Sequence, residues 1–289
     1  MRPSRRTAAT LTLLVVLITA ATGCGSTSVE TDEGSEYVAL GDSYTAGAGM
    51  EPLADEPCRR STINYPSLVA TALKMERFSD RSCAGARLLD LQLSQKAGLT
   101  RLNAPQLDAV GRDTELVTIG LGMNDHEIST GLLLVCITPP STEPNDTCKQ
   151  YLQQTESTIH AQIRRAAADL NAALQTIAQR APGARIVVVG YPRIAPEVGS
   201  CPDLLPVPEA QLSRLRGAMK AANQAWSEAA EQAGALYVDM YTPSAGHDIC
   251  SDDPWVSGYA GVAGKADGLH PFPSYAEAVA AEIVRVLDD

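Results

Sequence analysis

The heptapeptide Tyr37-Val38-Ala39-Leu40-Gly41-Asp42-Ser43 decides the fold of this chain. Its apolar first half predicts a strand buried on both faces, and this strand runs directly into a Gly-Asp-Ser turn. Three more apolar runs of strand length follow at Leu116–Leu121, Arg185–Gly190 and Ala235–Asp239, and a weaker candidate lies at Phe78–Cys83.

Amphipathic segments with helical spacing alternate with these strands. They predict helices at Tyr65–Lys74, Glu156–Arg180, Glu209–Gln232 and Ser274–Leu287. In the last of these, Ser274 is expected to be the N-cap and Glu277 its capping-box partner. Apolar strands that alternate with helices form parallel sheets covered on both faces. We therefore expect a single three-layer α/β/α domain, with a mostly parallel sheet, over residues 37–289.

The N-terminus has a different composition. Arg2, Arg5 and Arg6 precede an uncharged stretch at Ala8–Ala21 and then small residues, which is the pattern of a secretory signal peptide. We expect a signal peptide at residues 1–23 and a short acidic tether at residues 24–36. Since no second long apolar run follows, the body of an exported protein is expected to be soluble.

The charge of the chain narrows the choice of partners. The formal net charge is −11, and removal of residues 1–23 takes away three arginines and no acidic residue, which lowers it to about −14. This acidic balance argues against binding of nucleic acid and against electrostatic docking on anionic lipid. We expect a monomer that meets the membrane only through an N-terminal anchor.

Six cysteines follow Cys24, which stands at the end of the signal segment. An even number of cysteines in an exported chain predicts disulfides, and six allow 15 pairings. Zinc binding is the alternative, but the chain has neither a Cys-x-x-Cys pair nor a Cys–His cluster. The six are Cys58, Cys83, Cys136, Cys148, Cys201 and Cys250.

Candidate catalytic residues come from the ends of the strands, where open α/β sheets bind their ligands. Ser43 follows the first strand, where the N–H groups of a helix N-terminus could face an oxyanion, although a plain capping role is the alternative. Asn124 follows the strand at Leu116–Leu121. Asp267 lies three residues before His270, so its carboxylate could orient the imidazole and leave Nε2 free as a base. A surface loop is the alternative for that pair.

Two other hydrolase classes fit less well. The Gly-x-Ser-x-Gly elbow of α/β-hydrolases is absent around Ser43. A metallohydrolase could use Asp125, His126 and Glu127, but His-Glu-x-x-His is missing because Thr130 occupies the second histidine position. We expect His126 and Glu127 to be loop surface.

Four short blocks together resemble the SGNH (GDSL-type) hydrolase family. The blocks are Gly41-Asp42-Ser43-Tyr44, Gly85 within Cys83-Ala84-Gly85-Ala86, Gly122-x-Asn124-Asp125, and Asp267-x-x-His270-Pro271. The resemblance implies a flavodoxin-like fold and hydrolysis of carboxylic esters through an acyl-enzyme without a cofactor.

The same resemblance implies the role of each site residue. Ser43 would be the nucleophile, His270 the general base and Asp267 the acid that orients it. The oxyanion hole would consist of the Ser43 and Gly85 N–H groups and the Asn124 amide. We expect Gly85 to be a glycine because a side chain there would crowd the substrate.

The chain looks most like the secreted actinobacterial esterases and lipases of this family, which have three sequential disulfides. That likeness implies the pairs Cys58–Cys83, Cys136–Cys148 and Cys201–Cys250. Some of these enzymes orient the histidine with a backbone carbonyl, but since Asp267 is present we expect a full triad. Ala20-Ala21-Thr22-Gly23-Cys24 resembles a lipobox, which predicts lipidation at Cys24.

We expect short- to medium-chain esters as substrates, because no amphipathic segment flanks the blocks as a lid and only two Phe and two Trp are available to line a deep tunnel. A true lipase or phospholipase, or a carbohydrate acetyl esterase, is the alternative on the same machinery. A binding protein that has lost catalysis is a further alternative. The presence of all four signature residues argues against it.

Overall fold

The computed structural model describes residues 36–132, 146, 150, 153 and 156–288. These residues belong to one compact unit, Gly34–Asp289. Its strands are β1 Glu36–Gly41, β2 Leu53–Asp55, β3 Arg60–Ser61, β4 Arg77–Asp80, β5 Gln95–Ala97, β6 Thr100–Asn103, β7 Thr114–Gly120, β8 Arg185–Val189 and β9 Leu236–Val238. Its α-helices are α1 Ser43–Ala46, α2 Tyr65–Ala72, α3 Ile128–Leu132, α4 Glu156–Arg180, α5 Glu209–Gln232 and α6 Pro273–Asp288.

Five strands form the central sheet in the order β4-β1-β7-β8-β9, and every neighbouring pair is parallel. Counted along the chain this is the order 2-1-3-4-5, which is the flavodoxin-like arrangement. The registers place Gly41 beside Gly120 at the carboxyl ends of β1 and β7. The expected doubly covered parallel sheet is therefore confirmed.

Alternate side chains of the central strands enter two separate cores. Val38 and Ile119 pack with the apolar faces of α4 and α5, whereas Tyr37 and Ala39 pack with α2 and α6. Because successive side chains of a strand point to opposite faces, one apolar run supplies both cores. The three layers follow directly from the unbroken hydrophobicity of β1, β7 and β8.

Two local expectations are corrected. Helix α6 begins at Pro273, so Ser274 lies inside the helix and does not cap it; proline is favoured at the first helical position, where its missing N–H costs nothing. The small hairpins β2–β3 and β5–β6 lie in segments whose hydrophobic pattern predicted no strands.

Two of the three expected disulfides are confirmed. Cys58–Cys83 closes the loop before the second block, and Cys201–Cys250 joins the two long loops that follow β8 and β9. The third expected pair, Cys136–Cys148, lies outside the described residues, as do the signal peptide and residues 24–35 of the expected tether, Cys24 included. Glu36, expected to end the tether, is instead the first residue of β1. None of the described helices has the length and apolarity needed to cross a membrane.

Candidate functional site

Ser43 is the first residue of α1, directly beyond the end of β1. The helix is capped by Asp42, whose carboxylate accepts a hydrogen bond of 2.9 Å from the Tyr44 N–H. Ser43 is therefore not the capping residue, and its hydroxyl is free of that task. Its own N–H has no acceptor among the described residues, so it faces outward at a helix N-terminus.

Gln106 holds the backbone at the last residue of β1. Its side-chain oxygen accepts from the Gly41 N–H at 2.8 Å and its amide donates to the Gly41 carbonyl at 2.9 Å. The side chain is completely buried in a short 3-10 helix at Gln106–Ala109. It thus gives the Gly41 N–H an acceptor beyond the last residue of β4 and fixes where the nucleophile turn begins.

Asp42 is buried beside the nucleophile and is paired with Tyr191, which follows β8. The Tyr191 hydroxyl donates to the Asp42 carboxylate at 2.5 Å. Burial raises the pKa of Asp42 to about 7, against the effect of its hydrogen bonds, which lower it. Tyr191 was not singled out from the sequence, although it stands at a strand end, where such residues are expected.

The Gly85 loop is tied to the nucleophile turn through the backbone. The Cys83 N–H donates to the Gly41 carbonyl at 3.1 Å, and the Ala84 N–H donates to the Cys58 carbonyl at 2.9 Å. Gly85 itself has φ +75° and its N–H has no acceptor among the described residues. A Cβ at this position would meet only one atom of Gln95, at 3.8 Å, so the positive φ is the structural reason for glycine that can be seen here.

The Asn124 amide is held in one orientation from both ends. Its Oδ1 accepts from the Ser129 hydroxyl at 3.2 Å, and its Nδ2 donates to the Ala86 carbonyl at 3.0 Å. Because Nδ2 carries two hydrogens, one remains available for a ligand. Asn124 is thus linked directly to the loop that carries Gly85.

The turn that carries Asn124 is fixed by Trp226 of α5 and by Asp125. The indole N–H of Trp226 donates to the Leu121 carbonyl at 2.7 Å, and a Cβ at Gly122 would lie 2.2 Å from the ring. The Asp125 carboxylate accepts from the Leu88 N–H at 3.1 to 3.2 Å. Burial raises the pKa of Asp125 to about 6.

His270 is oriented by a backbone carbonyl. Its Nδ1 lies 2.7 Å from the carbonyl oxygen of Gly268. Since a carbonyl only accepts, Nδ1 carries the proton and Nε2 is left unprotonated, which is the tautomer that a general base needs. The Tyr44 hydroxyl donates to the Leu269 carbonyl at 2.7 Å and its ring lies 5.8 Å from the imidazole, so the nucleophile helix also positions this loop.

The expected bond between Asp267 and His270 is absent, and this prediction is corrected. The Asp267 carboxylate binds the guanidinium of Arg59 at both oxygens, at 3.0 and 2.5 Å. A bidentate ion pair with a permanent cation is stronger than a bond to a neutral imidazole. The tight turn closed by the His270 N–H and the Asp267 carbonyl, at 3.1 Å, leaves Gly268 to present its carbonyl to the ring.

Burial lowers the pKa of His270, while the bond to Gly268 and the nearby Asp267 carboxylate raise it and Arg59 lowers it. The net direction is downward from the ordinary value of 6.5. This direction favours the neutral imidazole, which is the form that can act as a general base.

Ser43, Asn124 and His270 line one cavity of about 120 Å³. Its walls are otherwise mostly apolar and include Met123, Ile194, Met219 and Leu269. Gly85 is not among its lining residues and lines a different cleft, together with Leu89 and Leu93. A separate groove of about 510 Å³ beside α5 shares Ile194 and Met219 with this cavity.

The residues considered for metal chemistry do not form a site. His126 Nε2 lies 2.8 Å from the Asp169 carboxylate on the surface, as expected for a loop residue. Over the described ranges no group of three or more His, Cys, Asp or Glu side chains is arranged to hold a metal ion.

The comparisons with known proteins agree with this geometry. The model of the GDSL-like lipase/acylhydrolase family matches residues 39–274. Lipase 2 of Streptomyces coelicolor is 38% identical over 222 residues, which are 74% of this chain and 72% of that protein.

Two solved structures share the fold over nearly their whole length. The extracellular lipase of Streptomyces rimosus is similar with a TM-score of 0.68 and 29% identity, over 88% of this chain and 99% of that one. The phospholipase A1 of Streptomyces albidoflavus NA297 is similar with a TM-score of 0.66 and 26% identity, over 87% and 99%. The chain belongs to the GDSL-like lipase/acylhydrolase family and is a carboxylic ester hydrolase.

Proposed function

We propose that this protein is an exported serine esterase that hydrolyses short- to medium-chain carboxylic esters through an acyl-Ser43 intermediate. One observation carries the proposal: Ser43 at a helix N-terminus and His270 with Nε2 free line the same small apolar cavity.

Each half of the reaction needs two proton transfers by His270. Nε2 takes the proton of the Ser43 hydroxyl as Oγ attacks the ester carbonyl carbon, and then returns that proton to the departing alcohol. In the second half Nε2 takes a proton from the attacking water, and it returns this proton to Ser43 Oγ as the acyl–Oγ bond breaks and the carboxylic acid leaves. The Gly268 carbonyl keeps the required tautomer and stabilises the imidazolium that forms between the two transfers.

The oxyanion of each tetrahedral intermediate would be met by three donors. The Ser43 and Gly85 N–H groups have no acceptor among the described residues, and Asn124 has one amide hydrogen to spare. Such a donor is typically worth about 3–4 kcal/mol of barrier. Because Ser129 and Ala86 hold the Asn124 amide before substrate arrives, little reorganisation is required.

The proposed acyl-chain length rests on the size of the cavity. A volume of about 120 Å³ is well below the few hundred Å³ of sites that enclose a large ligand. Each buried CH₂ of substrate contributes about 0.8 kcal/mol. The rate should therefore rise from acetyl to medium chains and then level off, because longer chains lie in the open groove along α5.

Export is proposed from three observations. These are the signal-like residues 1–23, the two disulfides among the described cysteines, and the extracellular S. rimosus relative. Lipidation at Cys24 is proposed from the lipobox-like sequence alone. Metabolic labelling with a radioactive fatty acid tests it, with Cys24→Ser as the control; release of an unlabelled protein into the medium would rule it out.

The test of the function is a hydrolysis panel of p-nitrophenyl esters of increasing acyl length, together with a phosphatidylcholine and an acetylated xylan. Ser43→Ala is the blank and is expected to lose several orders of magnitude in kcat/KM while melting at the same temperature. A fluorophosphonate should label Ser43. Labelling of another residue with full inactivation would contradict the assignment, and activity confined to phospholipid or to sugar acetates would replace the proposed substrate class.

A further inference from the structure

A hairpin beside the Gly85 loop exposes leucine where turns usually carry polar residues. Strands β5 and β6 are joined by Gly98-Leu99, and the Leu99 side chain is fully exposed, at 102%. Leu89 and Leu93, in and just after the neighbouring 3-10 helix, are 54% and 55% exposed. A single exposed leucine is ordinary, but here Leu89 and Leu93 line one cleft with Lys96, and Leu99 is at the tip of the hairpin that Lys96 belongs to.

The same hairpin carries two basic side chains directly opposite each other. Lys96 and Arg101 are cross-strand partners, and both are exposed. Over the described part of the chain, neither has a carboxylate within 4.0 Å. Like charges placed opposite each other across a hairpin are destabilising. An anion that bound both would remove this cost.

The hairpin is attached at its base to the oxyanion loop. The Gln95 amide donates to the Ala84 carbonyl at 2.7 Å, and the Asn103 amide donates to the Arg81 carbonyl at 2.8 Å. Gly85, Leu89, Leu93 and Lys96 line one open cleft of about 640 Å³. The apolar and basic face therefore adjoins the loop that carries the proposed oxyanion donor.

We propose that this face, formed by Leu89, Leu93, Lys96, Leu99 and Arg101, seats the protein on an anionic lipid–water surface. The leucines enter the acyl region while Lys96 and Arg101 meet the head groups. The inference rests on the proposed function only in one respect: the ester would reach Ser43 from that surface.

The net negative charge of the chain does not oppose such docking at physiological salt. Charges are screened beyond about 8 Å, so the surface senses the basic residues of the face rather than the acidic far side. Attraction by Lys96 and Arg101 should be worth about fivefold in affinity for each residue. The local charge thus outweighs the whole-molecule balance from which no lipid docking was expected.

Co-sedimentation with vesicles tests the proposal. The exported protein is used with Ser43→Ala, which prevents hydrolysis of the vesicle lipid, and Cys24→Ser, which prevents anchoring by an acyl group. We expect tighter binding to phosphatidylcholine mixed with phosphatidylglycerol than to phosphatidylcholine alone, and release by high salt. Leu99→Ser should weaken binding at least about tenfold, and Lys96→Ala with Arg101→Ala about 25-fold on the anionic vesicles only.

Matched variants control for hydrophobicity and charge. Val198→Ser removes an exposed apolar side chain (86%) from another loop, and Arg112→Ala with Lys265→Ala removes the same charge elsewhere; neither should change binding. Thermal melts verify the folding of every variant. Absence of vesicle binding, or equal losses in the control variants, would overturn the proposal. Hydrolysis of a monomeric ester by the protein with Ser43 intact tests the proposed function separately.

Discussion

At the scale of single residues, His270 shows how a neighbouring charge can redirect a site. Asp267 stands at the position where a triad acid is expected, yet its carboxylate pairs with Arg59 and the histidine donates its Nδ1–H to the Gly268 carbonyl. Asp267 therefore has a structural role, because its ion pair with Arg59 attaches the histidine loop to the segment that follows Cys58. Its N–H also donates to the Ala48 carbonyl at 2.9 Å, close to the nucleophile helix.

Asp267→Asn should consequently cost little activity. We expect kcat/KM to fall by less than about tenfold, whereas loss of a true triad acid costs about 10⁴. The partly exposed ion pair should contribute roughly 0.5–1 kcal/mol of stability, so the melting temperature should fall by a few degrees. Arg59→Gln removes the other partner of the same ion pair and should lower the melting temperature by the same amount. A loss near 10⁴ with an unchanged melting temperature would restore Asp267 as the acid.

The pH dependence of the rate follows from the state of His270. The base acts only when neutral, and burial lowers its pKa, so the acid limb of kcat/KM should lie below 6.5. In Asp267→Asn the acid limb should move to still lower pH, because the variant lacks the Asp267 carboxylate that raises the pKa of His270. Rate profiles of both proteins on a neutral ester measure this. An acid limb at or above 6.5 would show that burial does not govern the base.

At the scale of elements, the turn after β7 is shaped by a helix far along the chain. Gly122 has φ +129°, and Trp226 of α5 occupies the space where its side chain would lie. The turn places Asn124 between Ser129 and Ala86, so the geometry of the oxyanion site depends on packing between α5 and this turn.

Gly122→Ala should destabilise the protein by roughly 2–4 kcal/mol, because it combines backbone strain with overpacking. Urea denaturation measures the change. Gly183→Ala is the matched control, since a Cβ there meets nothing within 4 Å and its φ is not positive; it should change stability by less than about 1 kcal/mol. Equal effects of the two variants would show that Trp226 imposes no constraint on the turn.

At the scale of the whole molecule, the two confirmed disulfides differ in the length of chain that they close. Cys201–Cys250 joins long loops 49 residues apart, and Cys58–Cys83 closes a shorter loop of 25 next to Gly85. Chain-entropy arguments assign to each a few kcal/mol, with more for the longer loop.

Replacement of each pair by alanine should therefore lower the free energy of unfolding by about 2–4 kcal/mol. Only Cys58→Ala with Cys83→Ala should also lower kcat/KM at a temperature where both proteins are folded, because this disulfide fixes the backbone at residue 83, whose N–H holds the Gly85 loop to Gly41. Denaturation curves and ester hydrolysis on the two double variants measure this. Equal activity losses would mean that the disulfide near Gly85 has no special part in the site.

Local patterns in the sequence were sufficient for the layers of the fold. Helix α5 begins and ends where its periodicity predicts, α4 ends at the predicted residue, and β1, β7 and β8 differ from the predicted runs by one or two residues. Long elements with strong hydrophobic periodicity are fixed by their own residues, since burial of one face is a local property. The catalytic blocks at the strand ends follow from the same logic, because parallel strands bring their carboxyl ends to one edge.

Contacts between distant segments decided the rest. Three contacts of the site each join residues at least 65 positions apart. Gln106 binds the backbone of Gly41, Tyr191 pairs with Asp42, and Trp226 fills the space at Gly122. Periodicity holds no information about such pairs. Asp267 is the clearest case: two partners compete for one carboxylate, and the outcome depends on Arg59, 208 residues away, lying within hydrogen-bond distance.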